Sequence, residues 1–298
     1  MLKRSHLAVA MSFSAAVLCG CGGAAQSAQP SPAASTAAAK DKKHQFEAAK
    51  ADCMKQKGFK YVAYVAPEKQ ESDEDRKIAS GDYQAMKTYR EKYGFGVYAV
   101  YAYPKEMAPE GMAGNPVKDP NRKMLSSLSN AQLVAYNEAK NACMGVAGKK
   151  VLGLTLKSNL DYFSQMAKAH KRAKAAELDG DPKLVELAGA MATCLKGKGY
   201  TVSDTKPSAI DLRGERTFLE QQSNLGKQQE GDLQAPPKMT KDTQQYQMPE
   251  LTPQQAMPYL NKEIKAALDD LECGKDFYPA FIPRETTVQQ RVNEQFAF

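Results

Sequence analysis

Two nine-residue segments of this chain align without a gap: Cys53-Met54-Lys55-Gln56-Lys57-Gly58-Phe59-Lys60-Tyr61 and Cys194-Leu195-Lys196-Gly197-Lys198-Gly199-Tyr200-Thr201-Val202. This internal repeat is the strongest constraint on the fold. Cysteine, both lysines and the second glycine of the later copy coincide, and an aromatic follows that glycine each time. Upstream, Phe46 and Ala49 lie seven and four residues before Cys53, as Leu187 and Ala190 do before Cys194. Offsets of −7, −4 and 0 predict one face of a helix in each copy. Gly58 and Gly199 suit the left-handed residue that ends such a helix. Asp181-Pro182 suits the start of the second one. The segments that follow, 59–65 and 200–202, are rich in aromatic and β-branched residues and predict short strands.

A second pair of segments also matches. Leu128-Ser129-Asn130-Ala131-Gln132 resembles Leu251-Thr252-Pro253-Gln254-Gln255. Each has the capping-box pattern, in which a hydroxyl at the N-cap and Gln at N3 satisfy free backbone N–H groups reciprocally. Gln132 lies 11 residues before Cys143 and Gln255 lies 18 before Cys273. The difference is close to two helical turns, so both cysteines keep nearly the same phase. Gly145 and Gly274 are the expected stops.

The expected fold is mainly α with a few short strands, built from two diverged copies of a helix–strand–loop–helix unit, each stapled by a disulfide. The copies span 44–157 and 158–298, the second opening on a bridging helix over 158–178. Leu160, Phe163, Met166 and Ala173 run along one side of that helix, as a core stripe would. The middles of the copies differ. Copy one has Tyr83, Tyr89 and Tyr93, then Gly94-Phe95-Gly96-Val97-Tyr98-Ala99-Val100-Tyr101, which predicts a helix, a glycine-framed turn and a strand. Copy two has a Gln-, Lys- and Pro-rich stretch over 221–247 that reads as a long exposed loop.

The N-terminus reads as an export leader. Lys3 and Arg4 precede an apolar run from Leu7 to Leu18, and Leu18-Cys19-Gly20-Cys21 closes it in the pattern of a lipoprotein-processing site. Cys19 departs from the small residues usual at that position. The apolar run is short of the ~20 residues needed to cross a bilayer. Cleavage after residue 20 would leave Cys21 to carry lipid and anchor the chain to the membrane. Residues 21–43 then read as a flexible tether rich in Gln, Ser, Pro and Ala.

Six cysteines are present. Cys19 leaves with the leader and Cys21 takes lipid, so Cys53, Cys143, Cys194 and Cys273 remain for an oxidising compartment. Spacing alone leaves three connectivities open, and the repeat favours Cys53–Cys143 and Cys194–Cys273. Zinc is the rival use, but no CxxC pair is present. The formal charge of +7 falls by two when the leader goes. This mild surplus is spread out and densest at Lys168, Lys171, Arg172 and Lys174. Contact with anionic lipid or wall polymer is one reading of that group and a solvated helix face the simpler one. Nucleic acid is a poor partner for an exported chain.

The processing-site segment 18–23 with its Cys21-Gly22-Gly23, the Cys-Met-x-x-x-Gly-Phe-x-Tyr segment (53–61), Tyr93-Gly94-Phe95-Gly96-Val97 and the Leu-Ser-x-Ala-Gln-x-x-x-Tyr helix start (128–136) resemble a group of uncharacterised actinobacterial lipoproteins. Fainter echoes lie at 194–202 and 251–259. The resemblance implies a surface location and paired cysteines, and it carries over no activity or site residues.

No catalytic, cofactor-binding or metal-ligating set stands out. His44 and His170 lack HExxH-type spacing, and no GxSxG elbow is present. Ser203-Asp204-Thr205-Lys206 matches SxxK without its companion motifs, and Gly145-Val146-Ala147-Gly148-Lys149-Lys150 only approaches a P-loop. Asp269, Asp270 and Glu272 read as a solvated helix face. The function expected is a lipid-anchored, extracytoplasmic, non-catalytic binding module of the cell envelope, its partner an envelope protein or ligand that the residues do not identify. Within it, 83–103 is a candidate contact surface, with core packing of its tyrosines as the simpler account. An exported hydrolase would instead need a pocket that brings His44 or His170 beside a serine and a carboxylate. An ABC-transporter solute receptor would need two lobes around a central cleft.

Overall fold

A computed structural model describes residues 32–67, 71–107, 118–230 and 248–298. Cys21 and the leader lie outside the described residues. The chain forms α1 (Pro32–Gln56), α2 (Asp73–Ala79), α3 (Tyr83–Tyr93), α4 (Ala99–Ala102), α5 (Pro104–Met107), α6 (Asn121–Leu125) and α7 (Asn130–Ala147). A π-helical turn, Gly148–Leu152, follows. Then come α8 (Asn159–Glu177), α9 (Pro182–Gly197), α10 (Pro207–Asp211), α11 (Arg213–Glu230), α12 (Pro253–Cys273) and α13 (Tyr278–Phe296).

The local code operates alike in both copies. Gly58 and Gly199 take φ of +81° and +86°. The next residue's N–H reaches back five positions, Phe59 to Met54 O at 2.9 Å and Tyr200 to Leu195 O at 3.0 Å. Both are Schellman ends, open to glycine because a Cβ is disfavoured there. Ser129 with Gln132, and Thr252 with Gln255, form reciprocal capping boxes. Asp181 caps α9 with Pro182 at its first turn. Disulfides join Cys53 to Cys143 and Cys194 to Cys273, pairing α1 with α7 and α9 with α12. Such bonds belong to an oxidising, extracytoplasmic environment. No described helix is long and apolar enough to cross a membrane.

Several expectations are corrected. No strand is found among the described residues. Residues 59–67 have no regular secondary structure, and the backbone of Val62 is met by a side chain: Val62 N–H donates to Asn121 Oδ1 at 2.8 Å and Val62 O accepts from Asn121 Nδ2 at 2.9 Å. One amide supplies one rung, and a ladder needs a second backbone. The strand expected after Gly96 is the helical turn α4, and 200–202 form no strand either. Residues 221–230 of the expected loop are the second half of helix α11, whose first half buries Phe218 against Tyr98; the rest of the expected loop, 231–247, lies outside the described residues. Helix α1 starts at Pro32, so the later part of the segment read as a tether is helical, in keeping with the propensity of its alanine runs. On α8 the side facing the core is set by Tyr162, which is buried, whereas Leu160 is 79% exposed and Phe163 41%.

The cores mix the two copies. Met86 packs with Leu184, Met191, Leu271 and Phe281. Val97, Tyr98 and Ala99 pack with Phe218 and Leu260, and Phe46 and Met144 pack with Tyr162, Val292 and Phe296. Tyr98 is fully buried, while Tyr93, Tyr101 and Tyr103 are half-buried against the same cluster. The tyrosine-rich segment packs on the core, with Tyr98 inside it.

Candidate functional site

A cleft of about 360 Å³ opens where α1, the irregular segment 59–67, α7 and α8 meet the end of α13. Its size falls in the range of small-molecule sites. Helix α1 supplies Lys43, Phe46, Glu47 and Lys50, and the segment after it supplies Tyr64, Val65 and Ala66. Positions 43, 46, 47 and 50 recur at helical spacing, so one face of α1 forms a wall. Met144, Asn159, Tyr162 and Phe163 stand opposite.

The aromatic side is held rigidly. Phe46 stacks on Tyr162 with centroids 6.1 Å apart, and Tyr162 meets Phe163 and Phe296 edge-on. Tyr162 Oη donates to Phe296 O at 2.7 Å, which satisfies the buried hydroxyl. Ala297 is left-handed, with φ 53° and ψ 47°. A non-glycine residue pays ~1–2 kcal/mol for that conformation. The turn lets Phe298 N–H reach Asn293 O at 3.0 Å and sets the Phe298 ring against Phe163.

The polar side is Glu47 and Lys50, with Tyr61 bonded to Glu47. Lys50 is 5% exposed and ion-paired with Glu47. Tyr61 Oη donates to Glu47 Oε2 at 2.8 Å, and Lys50 Nζ lies 5.1 Å from the centre of the Tyr61 ring. Burial pulls the Lys50 ammonium below the usual lysine range, partly offset by Glu47. Burial, then Glu47, pushes the Tyr61 hydroxyl up. The sequence reading singled out none of the three as a site residue. The signal lay in extending the repeat alignment: Glu47, Lys50 and Tyr61 fall opposite Ala188, Met191 and Val202. Those three are buried apolar residues of the second copy.

A second cleft, of about 550 Å³, gathers His170, Lys171, Lys174, Lys206 and Arg216 around Asp179, Asp204 and Ser208. It places a histidine, a serine and carboxylates in one cavity without forming a relay. Ser208 Oγ donates to Asp179 Oδ2 at 2.8 Å, and His170 Nε2 pairs with Asn293 Oδ1 at 2.9 Å. A serine bound directly to a carboxylate has no imidazole to take its proton. Lys174, one of the dense basic group, is ion-paired with Glu285; Lys168, Lys171 and Arg172 are exposed. His44 is exposed on α1.

A third, smaller cavity of about 200 Å³ holds Arg90 with Asp211 and Glu215. Burial, then Glu285, pushes the Asp211 carboxyl up to about 8, and burial raises Glu215. The expected solvated face at 269–272 is corrected here. Asp270 is wholly buried, accepting from Arg90 at 2.9 Å, from Arg213 at 3.1 Å and from the Tyr278 hydroxyl. Asp269 and Glu272 hold Lys198. The near-P-loop segment is helix and π-turn, packed so closely that a Cβ on Gly145 would lie 2.8 Å from Leu156 O. Among the described residues, no three His, Cys, Asp or Glu side chains are grouped to hold a metal.

The chain matches no protein-family model, and no curated protein or solved structure is significantly similar to it.

Proposed function

We propose that this chain is an exported, lipid-anchored binding module of the cell envelope, with the aromatic cleft beside α1 as its ligand site. The leader pattern ending at Cys21 supports export and anchoring, and the two disulfides are consistent with that compartment. The observation that carries the binding role is the contrast between the repeats. Where the second copy closes its core with Ala188, Met191 and Val202, the first copy places Glu47 and Lys50 at the wall of an open cavity, with Tyr61 hydrogen-bonded to Glu47. A buried ion pair rarely repays its desolvation, so retaining one at an open cleft points to recognition more than to stability. The hydrolase reading has weaker support, because Ser208 and His170 are bound to other partners. A solute receptor would present two lobes, whereas here the copies share their cores.

Two measurements test the proposal. Non-reducing peptide mapping of the membrane-extracted protein should find a diacylated Cys21; an unmodified residue there rejects the anchor. Native mass spectrometry of the same material should find a small molecule that is absent from a Val65→Trp chain, in which the cleft is filled. An identical mass profile for both chains rejects the cleft as the ligand site.

A further inference from the structure

Taking the cleft as the ligand site, we propose that its ligand is a fatty-acyl group of a separate lipid molecule, bound with its carbonyl or carboxyl oxygen toward Lys50 and its chain running out over Phe163. Lys50 supports the inner end. An ammonium has three donors, and Lys50 makes one hydrogen bond, to Glu47. Lys50 lines the cleft and is itself only 5% exposed, so an acceptor oxygen brought to its remaining N–H groups would be worth more than it is in solution. Glu47 already balances the charge, so a neutral ester carbonyl suffices.

The walls fit a chain. Phe46, Met144, Tyr162 and Phe163 offer apolar faces, and the apolar surface does not stop at the mouth. Phe298 is 52% exposed beside Phe163, and Leu160 lies one turn before Phe163 on the same face of α8. A compact polar ligand would not call for an apolar lip; a chain longer than the cavity would.

Position gives the third argument. Lys43, in the cleft's lining, is 22 residues after Cys21 and sits on α1, the first helix among the described residues. A lipid on Cys21 would therefore hold this end of the molecule near a bilayer, where acyl chains are the abundant apolar ligand.

The experiment uses the full chain in vesicles of phosphatidylcholine and phosphatidylglycerol carrying a diazirine near the end of one acyl chain. Irradiation should label peptides containing Phe46, Tyr162 or Phe163. Phe163→Glu should lower that labelling about tenfold with an unchanged unfolding midpoint. Lys50→Met should lower it too, and its disulfide map reports whether the variant has folded. Label spread over the surface, or a yield unaffected by Phe163→Glu, overturns the proposal. Labelling of the cleft only in a Cys21→Ser chain assigns the site to the protein's own anchor and also overturns it. Cleft labelling by a free diazirine fatty acid but not by the vesicle lipid supports the acyl site with a soluble donor. Cleft labelling with an unmodified Cys21 removes the anchor and leaves the site standing; a lipidated Cys21 without cleft labelling does the reverse.

Discussion

The α1–α7 pair and the α9–α12 pair start from one local pattern and end in different environments. Both have a Schellman end, a capping box and a disulfide. In the first pair the disulfide is buried, with Cys53 and Cys143 inside a cluster containing Met54 and Tyr136. In the second, Cys194 is exposed and Cys273 half-buried. Helix α9 buries Leu184, Ala188, Met191 and Leu195, a stripe rotated away from Leu187, Ala190 and Cys194. Because α9 is turned, its apolar residues face α12, α13 and α3, and its core closes. Helix α1 keeps Phe46, Ala49 and Cys53 inward and turns Glu47 and Lys50 toward a cavity. The same chain signals can therefore support a sealed core or a lined opening, depending on what packs against them.

The largest effect that would test this comparison is loss of a disulfide. The sequence separations of 90 and 79 residues are similar, so each bond should contribute about 4–5 kcal/mol on the chain-entropy account. Cys53→Ser and Cys143→Ser should cost the same and no more together, measured by denaturant unfolding; additive losses would break the pairing. Under mild reductant the exposed Cys194–Cys273 bond should open before the buried one, as peptide mapping of a time course would show.

Next comes the charge buried in the closed half. Asp270→Ala leaves Arg90 and Arg213 facing each other without their carboxylate. A loss of about 3–5 kcal/mol is expected, read from the unfolding midpoint.

Glu263 gives a pH signature. It is wholly buried, and its carboxylate accepts from the backbone N–H groups of Phe95, Val97 and Tyr98 at 2.8 Å each. Burial outweighs those bonds and pushes the carboxyl up to about 7. A raised folded-state pKa means that the folded chain binds the proton more tightly. Its stabilising contribution is full below about pH 4.5 and is lost as pH rises through about 7. Relative to Glu263→Gln, the wild-type chain should lose about 3 kcal/mol across that window. Parallel stability profiles for the two chains would remove this account.

Smaller effects belong to the open half. Lys50→Met alone leaves Glu47 uncompensated and should cost about 2 kcal/mol. Replacing Glu47, Lys50 and Tyr61 together by the second copy's Ala, Met and Val should recover that loss or better it, while abolishing ligand retention. A triple variant less stable than Lys50→Met would show that the trio is structural. Least of all, Leu160→Ser should change stability by under about 0.5 kcal/mol, as expected of an exposed position; a larger loss would mean that the lip is packed.

The sequence by itself determined the features whose causes lie within a few residues. Caps at Ser129, Asp181 and Thr252, the glycine ends at 58 and 199, and the phase that brings each pair of cysteines together were all legible, because each depends on short-range hydrogen bonds and helical periodicity. The candidate site was legible only in part: Lys50 opposite Met191 is visible in the alignment, but nothing local shows that one position faces a cavity and the other a core. The tertiary structure alone decided the rest. Residues 59–67 have strand composition but meet the Asn121 side chain where a strand would need a second backbone. The segment after Gly96 becomes the helical turn α4, and Glu263 takes the backbone N–H groups of Phe95, Val97 and Tyr98 just before it. Asp270 is buried because Arg90 and Arg213, both distant in sequence, converge on it. In each case the deciding partner lies far along the chain, and burial follows from which surfaces meet.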